Sequence, residues 1–275
     1  MSWLKTFFKS AFETETEEEQ DDGDLAALLE SASKAALKGD YETAVAMWRP
    51  LAESGVARAQ SSLGACYLEG LGTPRDPAAA AEWFRSAAHA GDAVGQRNLA
   101  ALHFRGEDVP QDDEEALRLY RLAAKSGDAA AQDMLSWMLL EGRGADSDPV
   151  ESRRWALAAA EQEVATSMAR LGLIAHNALG MERNSEEAAR WWYEAARRGD
   201  PDGQAMLGAA LHLGAGVEKD DRAALIWLLR ADDAGSSLAA PFLAPVRAAL
   251  PAEQIAEAEQ AARRVPGPTE VEEAG

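Results

Sequence analysis

The chain has 275 residues, 47% of them hydrophobic, with a formal net charge of −20 and one cysteine, Cys66. That length holds one long repeat domain or two compact ones, and an acidic balance of this size repels nucleic-acid phosphates, so nucleic acid is excluded as a partner. A lone cysteine permits no intrachain disulfide framework, and no run approaches the ~20 apolar residues of a membrane-spanning helix.

At the N-terminus, Trp3, Leu4, Phe7, Phe8 and Phe12 share one half of a helical wheel, and Lys5 and Lys9 fall on the other. Such a segment docks in a protein groove, touches a membrane surface weakly, or stays an undocked tail. It lacks an uninterrupted apolar core and a small-residue cleavage site, so it does not read as a secretory signal, and a cytoplasmic location is expected. Eight acidic residues follow between Glu13 and Asp24. Like charges at this density extend the chain and disfavour an anionic bilayer. Residues 1–24 are therefore expected to be an amphipathic segment plus an acidic disordered linker.

Residues 25–38 read as an opening helix that stops at Gly39. From there a 36-residue period governs the chain. Leu63 returns as Leu99, Leu135, Leu171 and Leu207, and Asp40 as Asp76, Asp112, Asp148, Asn184 and Asp220. A fixed period in this range means stacked supersecondary units. The Asp/Asn series precedes helical runs and suits N-caps; Pro77 and Pro149 follow it, where a missing N–H is harmless. Gly55, Gly91, Gly127, Gly199 and Gly235 end one helix of each pair, and Gly70, Gly106, Gly142 and Gly214 end the other. Two helices per unit result, A-type near 57–69 and B-type near 41–54, each shifted by 36.

The A helices carry a small residue after the leucine: Gly64, Ala100, Ser136, Gly172, Gly208. The B helices carry Met47, Trp83, Leu119, Trp155, Trp191 and Trp227 in one slot and Trp48, Phe84, Tyr120, Ala156, Trp192 and Leu228 in the next. Neither stripe is wide enough for a core of its own, so neighbouring repeats must bury each other. Repeat four departs from the pattern: Glu163 and Ala178 replace helix-ending glycines and Val164 replaces the restarting Asp. An irregular junction is expected near 162–166. The domain plan is a repeat solenoid over 25–235, capping helices within 236–264 (at 237–249 and 252–264), and a disordered acidic tail over 265–275.

Ala59, Leu63, Gly64, Tyr67, Gly70, Gly72, Asp76, Ala80, Trp83, Phe84, Ala87, Ala88 and Gly91 together resemble the Sel-one-like repeat, a relative of the tetratricopeptide repeat. The resemblance covers roughly 40–235. It implies an all-α, right-handed α-solenoid of antiparallel helix pairs with a 36-residue period, its A helices lining a concave face. It further implies a scaffold or adaptor for protein complexes, often in bacterial signalling or envelope regulation, and it brings no catalytic residue.

No nucleotide-binding, zinc-protease, paired-cysteine or serine-hydrolase motif is present. Gly70-x-Gly72, Gly142-x-Gly144 and Gly214-x-Gly216 lack the preceding strand of a phosphate loop and read as helix stops. His176 and His212 share a repeat slot, but no acidic or cysteine partner recurs with them, so they read as packing residues and neither metal nor cofactor is expected. Cys66 reads as a buried apolar cysteine.

Trp137 stands where other repeats have Ala65, Ala101, Leu173 and Ala209, and a large aromatic there suits an interface. The slot of Asn98, Met134, Arg170 and Met206 and the slot of Arg105 and Glu141 complete a candidate protein-binding face. The expectation is a non-catalytic scaffold that binds a protein or peptide segment on the concave A-helix face. A membrane-recruited adaptor using residues 1–12 and an enzyme with an acidic site lacking any motif are the alternatives.

Overall fold

The computed structural model describes residues 22–106 and 109–263. The expectations for Trp3, Leu4, Phe7, Phe8 and Phe12, and for the acidic tail, lie outside those residues. Among the described residues there are fourteen helices and no strand. They are α1 (Asp22–Leu37), α2 (Tyr41–Glu53), α3 (Ala57–Glu69), α4 (Pro77–His89), α5 (Ala93–Arg105), α6 (Asp113–Lys125), α7 (Ala129–Glu141), α8 (Pro149–Glu161), α9 (Ala165–His176), α10 (Ser185–Arg197), α11 (Pro201–Leu213), α12 (Asp221–Asp233), α13 (Ala240–Ala248) and α14 (Ala252–Ala262). The fold is an α-solenoid of helix pairs. It divides into two compact units, one of residues up to Ala131 with Arg143–Ala145, the other of Gln132–Gly142 with the residues from Asp146 onward.

The turns follow from the recurring Asp and Gly. Asp76, Asp112, Asp148 and Asn184 each accept the amide hydrogen three residues on, at 2.9–3.0 Å. In every A-to-B turn the capping residue's own N–H returns to the A helix: Asp76 to Tyr67, Asp112 to His103, Asp148 to Leu139, Asn184 to Ala175 and Asp220 to Leu211. Both ends of each turn are thereby satisfied, as buried backbone groups must be. The second glycine of each Gly-x-Gly does more than stop a helix. A Cβ on Gly72 would lie 2.3 Å from the Tyr41 carbonyl, and one on Gly144 2.2 Å from that of Asp113. In the second unit a Cβ on Gly216 would lie 2.0 Å from the Ser185 carbonyl. These glycines let the loop of one repeat touch the backbone of the previous B helix.

Within each pair the small A-helix slot meets the large B-helix slot. A Cβ on Gly64 would stand 2.7 Å from Phe84, one on Gly172 2.3 Å from Trp192 Nε1, and one on Gly208 2.7 Å from Leu228. The α7–α8 pair reverses the sizes, with Ser136 on the A helix and Ala156 in the B slot. There Ser152 fills the gap, its hydroxyl donating to the Ser136 carbonyl at 2.8 Å. Phe84, Ala156 and Leu228 are fully buried and Trp192 nearly so.

The irregular junction expected near 162–166 is not formed. Glu163 adopts the left-handed conformation of the glycines it replaces, with φ 64°, and Ala178 does the same with φ 57°. The Val164 N–H still reaches the Ala159 carbonyl, as Asp200 reaches Ala195. The turn keeps its shape because packing on both sides fixes it, and a non-glycine residue absorbs the cost of about 1–2 kcal/mol.

The helix before the repeats begins at Asp22 rather than at 25. At the other end α13 and α14 pack on α12, with Val246 and Ala258 fully buried. The Arg230 guanidinium donates to the carbonyls of Ala261 and Ala262 at 3.3–3.4 Å, tying α12 to the last helix.

Two substitutions test this packing by urea denaturation. Gly172→Ala is expected to lower stability by about 1–3 kcal/mol, because Trp192 leaves no room for the methyl. Ala178→Gly is expected to raise it by about 0.5–1 kcal/mol, relief of the left-handed strain outweighing the added chain entropy.

Candidate functional site

The proposed A-helix residues divide by burial. In the second unit Met134, Trp137 and Met206 are half-buried and Glu141 is exposed. Met134, Trp137 and Glu141 follow at i, i+3 and i+7 on α7 and so share one face. In the first unit Arg105 is exposed, whereas Asn98 is 4% exposed and its side-chain nitrogen has no hydrogen-bond partner among the described residues. At that depth Asn98 offers a partner no surface, contrary to the expectation from its variable slot.

Arg170 is held by the preceding repeat. Its guanidinium donates to Asp133 Oδ1 at 2.7 Å and to the Asp133 carbonyl at 3.2 Å, and its side chain is 11% exposed. The cause lies in repeat four. In earlier repeats the slot that Asp133 occupies reaches forward to the next capping Asp: the Ser61 hydroxyl donates to Asp92 at 2.5 Å and Arg97 to Asp128 at 2.6 Å. Asp133 would face residue 164, a valine with nothing to pair, so it takes Ser167 at 2.5 Å and Arg170 instead.

Asp200 shows the converse. The slot that should serve it holds Ala169, and Asp200 is buried with the Gly203 N–H at 2.6 Å as its side-chain partner. Burial pushes its carboxyl above the usual range, Asp202 and Asp133 add to the rise, and the Gly203 bond and Arg170 oppose it.

The histidines differ from each other. His212 Nδ1 lies 2.5 Å from Asp221 Oδ1, and Lys219 pairs with the same carboxylate at 3.3 Å. His176 leans on Trp192, ring centroids 5.3 Å apart, and burial followed by the Arg183 charge lowers its pKa. No group of three or more His, Cys, Asp or Glu suited to a metal occurs among the described residues. Cys66 is fully buried, and burial alone pushes its thiol up to about 12, which leaves it unreactive at neutral pH.

One cavity was not foreseen. A groove of about 530 Å³ lies between α10 and α11 and is lined by Trp191, Tyr193, Glu187 and Glu194 on one side and Leu207, Leu211 and Val217 on the other. Sequence periodicity assigns Trp191 and Leu207 to the core, and both do contribute to it in part. The available signal was Tyr193, which occupies the slot of Arg49, Arg85 and Arg121.

Comparison with known proteins places these features in a family. The Sel1 repeat profile matches residues 57–92, 93–128, 129–164, 165–200 and 201–236. The structure of c5321, a protective antigen present in uropathogenic Escherichia coli strains and displaying an SLR fold, is similar with a TM-score of 0.76 and 30% identity. That similarity covers 87% of this chain and 53% of c5321, so the chain spans about half of that relative's length. A Sel1 repeat protein from Oxalobacter formigenes is similar with a TM-score of 0.76 and 23% identity, over 87% of this chain and 98% of that one. The second likeness shows the fold alone. No curated protein matches the chain.

The raised Asp200 carboxyl gives a pH prediction. The folded chain binds this proton more tightly than the unfolded chain, so stability falls as pH rises from the ordinary value of 3.8 through the folded one. Asp200→Asn keeps a capping oxygen and removes the charge. The variant is expected to unfold at higher urea than the native chain at pH 7, with the difference closing as pH falls towards 4. An equal midpoint at pH 7 would count against it.

Proposed function

The chain belongs to the Sel1 repeat family, whose members are generally protein-interaction scaffolds, and on that premise we propose that it is a non-catalytic scaffold that binds a protein segment along its A-helix side chains. The observation that supports this reading most is the single face of α7 on which Met134, Trp137 and Glu141 stand while neither apolar side chain is closed off by the fold. A half-buried tryptophan beside a methionine supplies large contact area at low entropic cost, and such residues are enriched in interface centres. Met206, also half-buried on α11, extends the surface within the same unit, and the Arg170–Asp133 pair is a fixed polar element bridging α9 to α7. Arg105 belongs to the first unit and is proposed as a separate exposed contact.

Residues 1–12 serve in this proposal as a second attachment point, to protein rather than to lipid. No helix among the described residues is long and apolar enough to cross a membrane. A cytoplasmic location is part of the same proposal.

Affinity capture with cross-linking tests the α7 face. The native chain is compared with Trp137→Ala and with Met134→Ala, each checked for an unchanged unfolding midpoint. Partners captured by the native chain are expected to fall by about tenfold with Trp137→Ala, the effect of removing an interface anchor. Recovery of the same partners in the same amounts by all three chains would show that the face is not used.

A further inference from the structure

We propose a second binding site, independent of the α7 face: the groove beside α10 takes an arginine- or lysine-bearing segment of a partner protein, with the cation over the ring of Trp191. The repeat itself indicates the occupant. Elsewhere among the described residues the chain covers aromatic rings with its own arginines, as Arg143 stands over Phe104 at 5.4 Å. Arg49 stands over Tyr67 at 5.8 Å and donates to its hydroxyl at 2.9 Å. Arg154 stands over Trp155 at 4.9 Å, and Arg230 over Trp227 at 5.1 Å. Trp155, Trp191 and Trp227 are equivalent residues of successive B helices.

At α10 this internal cover is missing. The position of Arg230, the residue that covers the equivalent Trp227, is taken by Glu194. Arg190 corresponds to Arg154 and lines the groove, but no guanidinium of the described chain stands over Trp191. The indole is held from its edge, where Nε1 donates to Glu187 Oε1 at 3.4 Å.

The rest of the groove suits the same guest. Leu207, Leu211 and Val217 offer an apolar wall for the aliphatic stem of a lysine or arginine. Glu187 and Glu194 set carboxylates along the other wall, and the net charge of −20 favours the approach of a basic segment. Glu187 already pairs with Arg153 and Glu194 with Arg198. Selectivity therefore rests on the ring face, where a desolvated cation is attracted by the quadrupole, more than on an unpaired carboxylate.

The test uses the full chain and three fluorescein-labelled peptides that alternate leucine with arginine, with lysine or with citrulline. Citrulline keeps the shape of arginine without its charge. The arginine and lysine peptides are expected to bind the native chain, with the citrulline peptide about tenfold weaker. Trp191→Leu is expected to abolish that preference. Because Trp191 also packs in the core, a second variant avoids the core: Glu194→Arg supplies an internal cover like Arg230 and is expected to weaken the arginine peptide about tenfold with the unfolding midpoint unchanged. Trp137→Ala should leave peptide binding intact. No binding to the native chain, equal binding of arginine and citrulline peptides, or undiminished binding by a folded Glu194→Arg chain would each overturn the proposal.

Discussion

Each A helix approaches the following B helix so closely that one side-chain atom decides what can stand at the contact. Gly172 lies under Trp192, and Gly64 and Gly208 lie under Phe84 and Leu228. The contact is made by backbone on one side and a large side chain on the other, which buries much apolar area with a narrow stripe. Where the large residue shrinks to Ala156, the small one grows to Ser136 and a hydroxyl pair takes up the space. The period in the sequence is the trace of this matching, repeated once per helix pair.

Contacts between repeats depend on the same closeness. Gly95 and Gly203 leave no room for a methyl against Ala87 and Ala195, and Gly72, Gly144 and Gly216 bring a loop onto the preceding B helix. A repeat therefore shares its core with its neighbours, and stability in each unit is a sum of pair and interface contributions. The last helices α13 and α14 close the final repeat through Val246, Ala258 and the Arg230 bonds.

Much of the fold was legible in the sequence because its signals are local and recur. Asp before a helix and Gly after it have physical reasons that survive from copy to copy. Two features were not legible. The left-handed turn at Glu163 looked like a broken rule, yet packing held the turn and the residue yielded. The second glycine of each Gly-x-Gly looked like part of a helix stop, whereas its reason is a backbone contact with a residue about thirty positions earlier. The candidate surfaces were less legible still. Variation between repeats suggested exposure at Asn98, which is buried, and at Arg170, which is consumed by an Asp133 that lost its usual partner to Val164. The groove at Trp191 was hidden because a tryptophan in a core stripe looks explained, and the marks of difference are single residues, Tyr193 in an arginine slot and Glu194 in the place of Arg230.

The residues that define the repeat are thus absorbed by capping, turning and packing, and the proposed binding surfaces fall at positions where a copy departs from the template. The foundation of that account is the size matching between A and B slots, and exchanging one pair for another tests it directly. The Ser136/Ala156 combination is transplanted into the α9–α10 pair as Gly172→Ser with Trp192→Ala, and urea unfolding is measured for both single variants and the double. Matching predicts a favourable coupling of about 1–3 kcal/mol, the double variant being more stable than the sum of the two losses allows. Simple additivity within about 0.5 kcal/mol would contradict it.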